Sequence, residues 1–185
     1  MGYDLSNMSS ERLEQIVRAA VTDNFRQFER QEDRDEVFDP SGYPEQYAID
    51  SFDLAMAKRL VEAAEEAADE RGLRIVAAVC DRGGNLVALH RMDDSLLCSL
   101  DVAQGKAFTA LSLKIPTSAG LAMVKANGHL TGFESSNNGR IILFGGGVPL
   151  FVDGVVVGGL GISGGSIVED TDVVEAAIRS VQRGR

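Results

Sequence analysis

The sequence predicts an α/β chain of the α+β kind, an antiparallel sheet covered by amphipathic helices. Three observations lead there. Apolar strand-like runs are separated by tight-turn signals, helical stripes flank them, and the period changes between the two. Tight hairpins join antiparallel strands, and such a sheet must be covered by the apolar faces of helices. A length of 185 residues suits one domain with an appendage.

The elements follow in chain order. Ser10 to Arg30 is a helical pattern in which Leu13, Ile16, Val17, Ala20, Val21, Phe25 and Phe28 share one face. That face calls for burial on the core domain or on a neighbouring subunit. Gln31–Asp50 is acidic and turn-rich (Asp39-Pro40-Ser41-Gly42) and reads as a connecting loop. The next helix starts at Ser51 or Asp53, either of which can cap it, and stops before Gly72. Its stripe is Leu54, Ala57, Leu60, Val61, Ala64 and Ala68. Arg74–Cys80 then predicts a strand, Asp81–Asn85 a turn, and Leu86–Arg91 the returning strand.

A third helix is expected from Ser95 to about Leu113, ended by Pro116, with Gly105 in its interior. Gly there costs about 1 kcal/mol relative to Ala, which close packing of a backbone or a ligand would explain. Thr117–Asn127 predicts a short helix closed by Gly128, and a polar loop runs on to Gly139. Arg140–Phe144, Val148–Val152 and Val155–Ser163 predict strands, the last two joined by Asp153-Gly154, a type I′ turn signal. Thr171–Gln182 predicts a final helix with Val173, Val174, Ala177, Ile178 and Val181 toward the sheet.

The formal net charge of −10 is unevenly placed. Residues 1–50 hold 12 acidic and 5 basic side chains, and residues 51–185 hold 16 and 13. This divides the chain into an acidic extension, 1–50, and a nearly balanced domain, 51–185. No nucleic-acid partner is expected, because phosphate binding needs a clustered basic surface. No membrane association is expected either, since no run reaches the ~18 apolar residues of a spanning helix. The N-terminus lacks the basic-then-apolar order of a secretory signal. Two cysteines, Cys80 and Cys98, make neither a disulfide framework nor a four-thiolate zinc site. A cytoplasmic protein without a metal site is the expectation.

Gly159-Leu160-Gly161-Ile162-Ser163-Gly164 has the letters of a dinucleotide fingerprint. That site requires a further parallel strand, and only 21 residues follow Gly164. Gly161-Ile162-Ser163-Gly164-Gly165 has the letters of a nucleophile elbow, whose His follows the Ser, and none lies beyond His129. Close approach of another backbone is the better account of these glycines. Gly164, Gly165 and Ser166 still stand before a helix, where free N–H groups can hold a carboxylate or phosphate.

His90 lies on the hairpin strand, on the face of Leu86 and Ala88, and His129 lies in the polar loop. Either imidazole could ligate iron; the bland alternatives are packing for His90 and solvent exposure for His129. Lys106 is a candidate base or anion anchor if it faces a pocket, and an exposed lysine with a buried stem otherwise. Cys98 reads as a buried thiol or as one activated at a helix start. Asp81 is expected to bond its own turn backbone.

Taken in order, Asp81-Arg82-Gly83-Gly84-Asn85, Arg91-Met92-Asp93, Gly105-Lys106-Ala107 with Thr109-Ala110, Phe144-Gly145-Gly146-Gly147-Val148-Pro149 and Gly158 through Gly165 form a specific set. The set resembles the GlcG/HbpS/PduO-C-terminal family, sometimes labelled haem-degrading, over about residues 52–184. Residues 1–50 fall outside the resemblance and are unlike the adenosyltransferase domain of PduO proteins. The resemblance implies a profilin-like, five-stranded antiparallel sheet with helices on both faces, usually in homo-oligomers. It also implies that some members bind haem or a related tetrapyrrole. PduO-type members can use a His in the first family helix; the matching Ala57-Lys58-Arg59-Leu60 has none, so His90 or His129 would have to substitute.

Three functions compete. The first is a small-molecule-binding protein for haem or a tetrapyrrole. The second is a cofactor-independent enzyme or sensor for a small anionic metabolite. It would combine Lys106 and Glu134 as proton-transfer groups with His129, Arg140 and the Gly164–Ser166 turn as binding groups. The third is a structural subunit of a larger assembly. Ligand binding is the leading expectation, and a homo-oligomer is expected from the apolar first helix and the family's habit.

Overall fold

Two hairpins build the sheet. β1 (Val76–Asp81) pairs antiparallel with β2 (Leu86–Arg91), and β3 (Gly147–Val152) pairs antiparallel with β4 (Val155–Ser163). The hairpins join through β1 and β4, again antiparallel, which gives one four-stranded sheet in the order β2-β1-β4-β3. The computed structural model describes residues 42–126 and 132–183. The expected helix Ser10–Arg30 and the loop residue His129 lie outside them.

Helices cover both faces of this sheet. α2 (Leu54–Asp69) and α5 (Ile167–Arg183) pack together on one face, α3 (Ser99–Leu113) lies across β1, β4 and β3 on the other, and the short α4 (Thr117–Ala126) follows α3. Alternation along the central strands feeds both layers. Ala77 and Val79 of β1 and Leu160 and Ile162 of β4 join Leu60, Val61, Val174 and Ile178 in the larger core. Val76 and Ala78 turn the other way onto Ala103 of α3. On that second face β4 presents Gly159 and Gly161. A Cβ at Gly159 would collide with the Ala107 carbonyl oxygen, and one at Gly161 with that of Ala103. The glycines seat a helix directly on the strand, as the packing reading of the motif anticipated.

Local signals placed most boundaries. Asp53 caps α2 by accepting from the Met56 N–H at 2.8 Å. Asp81 Oδ1 accepts from the N–H groups of Gly83 (2.8 Å) and Asn85 (2.9 Å), closing the first hairpin turn. Asp153 (φ 49°) and Gly154 (φ 76°) both take the positive φ that a type I′ turn needs. α3 begins at Ser99, four residues later than expected, after tight i→i+3 turns in which Ser99 N–H donates to the Leu96 carbonyl (3.1 Å) and Leu100 N–H to that of Leu97 (3.2 Å). α5 begins at Ile167, four residues earlier than expected. A capping box accounts for this: Glu169 N–H donates to Ser166 Oγ (3.3 Å), and Ser166 N–H donates to Glu169 Oε2 (2.8 Å).

Three expectations are corrected. Among the described residues the sheet has four strands, not five, because Arg140–Phe144 does not form one. Its backbone is satisfied by α3 instead: Ile142 N–H donates to Thr109 Oγ1 at 2.8 Å. Gly105 makes room for that segment, since a Cβ there would lie 2.7 Å from Ile142 Cγ1 and 3.1 Å from the Arg140 carbonyl. The end of the supposed connecting loop belongs to the core. After the short helix α1 (Tyr43–Gln46), Tyr47 and Ile49 are buried, and Ile49 N–H bonds the Phe151 carbonyl on the free edge of β3. Finally, Leu86 does not share a face with His90. A bulge at Val79/Cys80 pairs Leu86 with Cys80, whereas Ala88 and His90 pair with Val79 and Ala77.

Candidate functional site

α3 crosses β4 just before that strand ends, and there Lys106 passes the sheet. Its side chain is fully buried, and Nζ donates to the Ile162 carbonyl at 2.8 Å and to Asp170 Oδ2 at 2.6 Å. Asp170, in the first turn of α5, is also buried, and its Oδ1 accepts from the Gly165 N–H at 2.8 Å. The Phe144 ring stands over the ammonium with its centroid 5.0 Å away. Gly146 completes the wall, because a Cβ there would lie 2.7 Å from Lys106 Nζ. Burial holds the Lys106 ammonium below the ordinary lysine pKa, and the hydrogen bond and charge of Asp170 oppose that shift. One ion pair therefore links the two helical layers around the end of the sheet.

This geometry places the predicted residues in three separate settings. Lys106 and the Gly164–Ser166 turn do meet, through Asp170. The N–H groups of Gly165 and Ser166, however, are bonded by the chain's own Asp170 and Glu169 carboxylates. Glu134 is exposed in the 3-10 turn Phe133–Ser135, so it does not share a site with the buried Lys106. Arg140 takes other partners, on α3 and in the first hairpin turn. Its guanidinium lies 3.7 Å from the Phe108 ring centroid, and Nη2 donates to the Gly84 carbonyl at 3.0 Å.

His90 occupies the third setting, on the α2 face of the edge strand β2. Its Nδ1 lies 3.1 Å from Glu65 Oε2, and about a third of each side chain is exposed (38% and 32%). Cys98 is exposed and Cys80 buried; burial pushes the Cys80 thiol up to about 11. Ser163 Oγ meets only Ser99 Oγ (3.1 Å) among the described side chains, which leaves the nucleophile-elbow letters without a base. Among the described residues, no group of three or more His, Cys, Asp or Glu side chains is placed to hold a metal ion.

Asp170 and Phe144 escaped the sequence reading. Asp170 stands 64 residues from Lys106, and beside the Gly164–Ser166 turn it looks like an ordinary first-turn acid. Phe144 looked like the end of a strand. The signal that could have found them is the lysine itself: a Lys amid Gly105, Ala107 and Phe108 on an apolar helix needs a buried counter-charge.

Known proteins share this framework. The sequence model of the family described as "Haem degrading protein HbpS-like" matches residues 52–179. An uncharacterised 15.0 kDa protein of Citrobacter freundii, from the dhaT-dhaS intergenic region, is 37% identical over 130 residues. That match spans 70% of this chain and 92% of the relative. The corrinoid adenosyltransferase PduO of Salmonella typhimurium is 38% identical over 126 residues, 68% of this chain but only 38% of PduO. Among solved structures, a PduOC:heme complex is 36% identical with a TM-score of 0.67, covering 70% of this chain and 94% of that one.

Proposed function

The chain belongs to the HbpS-like family, and from that premise we propose that its domain binds haem or a related tetrapyrrole. One observation carries the reading: a domain 36% identical, alike in fold over nearly all of its own length, was crystallised with haem. The whole PduO protein's adenosyltransferase activity is not part of the proposal.

The residues present fit such a group. Glu65 engages His90 Nδ1 and leaves Nε2 as the free ring nitrogen, the arrangement in which a carboxylate orients a metal-ligating imidazole. Lys58 and Arg59 are exposed on α2, where the family resemblance would place a His. Lys58 stands seven residues before Glu65, hence on the same helix face and about 10 Å along it. His90 would take the iron, and Lys58 would offset the negative charge of a tetrapyrrole's carboxylates. Bound haem supplies an iron centre for ligand and electron chemistry. The chain's part is to orient the imidazole and to supply cationic contacts.

A hemin titration followed at the Soret band tests this reading on the full chain. Saturable binding that His90→Ala abolishes or shifts spectrally, and that His129→Ala leaves intact, is the expected result. No saturable Soret change would overturn haem binding. A saturable band indifferent to His90→Ala would overturn the ligand assignment.

A further inference from the structure

A groove of about 270 Å³ opens on the far side of the sheet from His90, where the β1–β2 turn meets the end of α3. Its floor is apolar (Phe108, Leu111 and Val156), and Arg82 and Lys114 stand on its rim. Arg140 adds a third cation. Its guanidinium is stacked on Phe108 and tethered to the Gly84 carbonyl, both part of the groove. In a chain with a net charge of −10, three cations around one apolar floor is an arrangement that solvation alone does not call for.

The opposing charges nearby are accounted for. Asp81 is the adjacent carboxylate. Its Oδ1 already accepts from the Gly83 and Asn85 N–H groups, and its Oδ2 from the Asn85 side chain. The last carbonyls of α3 carry partial negative charge, and Lys114 follows them directly as the C-cap residue. Arg82 and Lys114 form no ion pair with any described residue. Arg140 spends one Nη2 hydrogen bond on Gly84 and keeps further guanidinium donors for a carboxylate.

We infer that this groove is a second ligand site, selective for a small carboxylate with a flat apolar body. The body lies on Leu111 and Val156 beside the Phe108 ring, one face of which Arg140 covers, and the carboxylate meets Arg140 with Arg82 and Lys114 flanking it. At about 30 Å³ per water, the volume holds roughly nine water-sized groups. That suits benzoate, and the site stands independently of the proposed haem ligand because it lies on the other face of the sheet from His90.

Isothermal titration of the full chain with benzoate, benzamide and inorganic phosphate tests it. Benzoate is expected to saturate, with benzamide and phosphate each at least about tenfold weaker. Arg82→Gln and Lys114→Gln, at exposed positions, are each expected to weaken benzoate severalfold without lowering the melting temperature. Arg140→Gln is expected to weaken it about tenfold or more, and His90→Ala not at all. The site is overturned if benzoate fails to saturate by about 10 mM, if benzamide or phosphate binds equally well, or if all three cation variants bind like the parent.

Discussion

Replacing Asp170 by Asn tests the Lys106–Asp170 pair directly. The amide keeps an acceptor for the Gly165 N–H but removes the charge facing an ammonium that is fully buried. Removing one partner of a buried ion pair costs about 3–5 kcal/mol, because the other charge stays desolvated and uncompensated. For a chain of this size that corresponds to a melting-temperature drop of roughly 6–20 °C. Urea unfolding followed by circular dichroism would measure it. Lys106→Met combined with Asp170→Asn should lose less than Asp170→Asn alone, since the pair is then replaced by neutral groups. The pH dependence has a definite sign. In Asp170→Asn the folded-state pKa of Lys106 lies below its unfolded value, because burial lowers it and the opposing carboxylate is gone. Between those two values the unfolded chain binds more protons, so the variant regains stability as pH rises through that interval toward the unfolded value of about 10.4. A loss below about 1 kcal/mol, typical of exposed pairs, would refute the claim that this pair is desolvated.

Other outcomes follow from the same geometry. Gly161→Ala drives a methyl into the Ala103 carbonyl and should cost about 3 kcal/mol. Gly154→Ala, strained only by its φ of 76°, should cost about 1–2 kcal/mol, both read as shifts in urea midpoint. Maleimide labelling of the native chain should modify Cys98 alone, Cys80 reacting only after denaturation; fast native labelling of Cys98→Ser would contradict the buried thiol. Hydrogen bonds from Ser166 hold the Glu169 carboxyl below its ordinary pKa. Its contribution is thus complete above the unfolded value of about 4.3 and is lost as pH falls through the lower folded value. Glu169→Gln should flatten that acid limb in urea midpoints measured against pH.

What the sequence determined by itself was whatever a few neighbouring residues settle among themselves. Asp53 before an apolar stripe caps α2, Asp81 closes its own turn, and Asp153-Gly154 makes the second hairpin, because each bond spans only two to four residues. The ordered motifs identified the family for the same reason: they are local strings. Tertiary structure decided what depends on distant partners. Arg140–Phe144 has the apolar content of a strand, yet Thr109 takes its N–H and Gly105 admits its bulk, so it lies on α3. Lys106 reads as a surface or pocket lysine until α5 brings Asp170 within 2.6 Å. His90 and Arg140 are isolated letters in the chain. Glu65 orients one and Phe108 stacks on the other only after the sheet has carried α2 and α3 to its opposite faces.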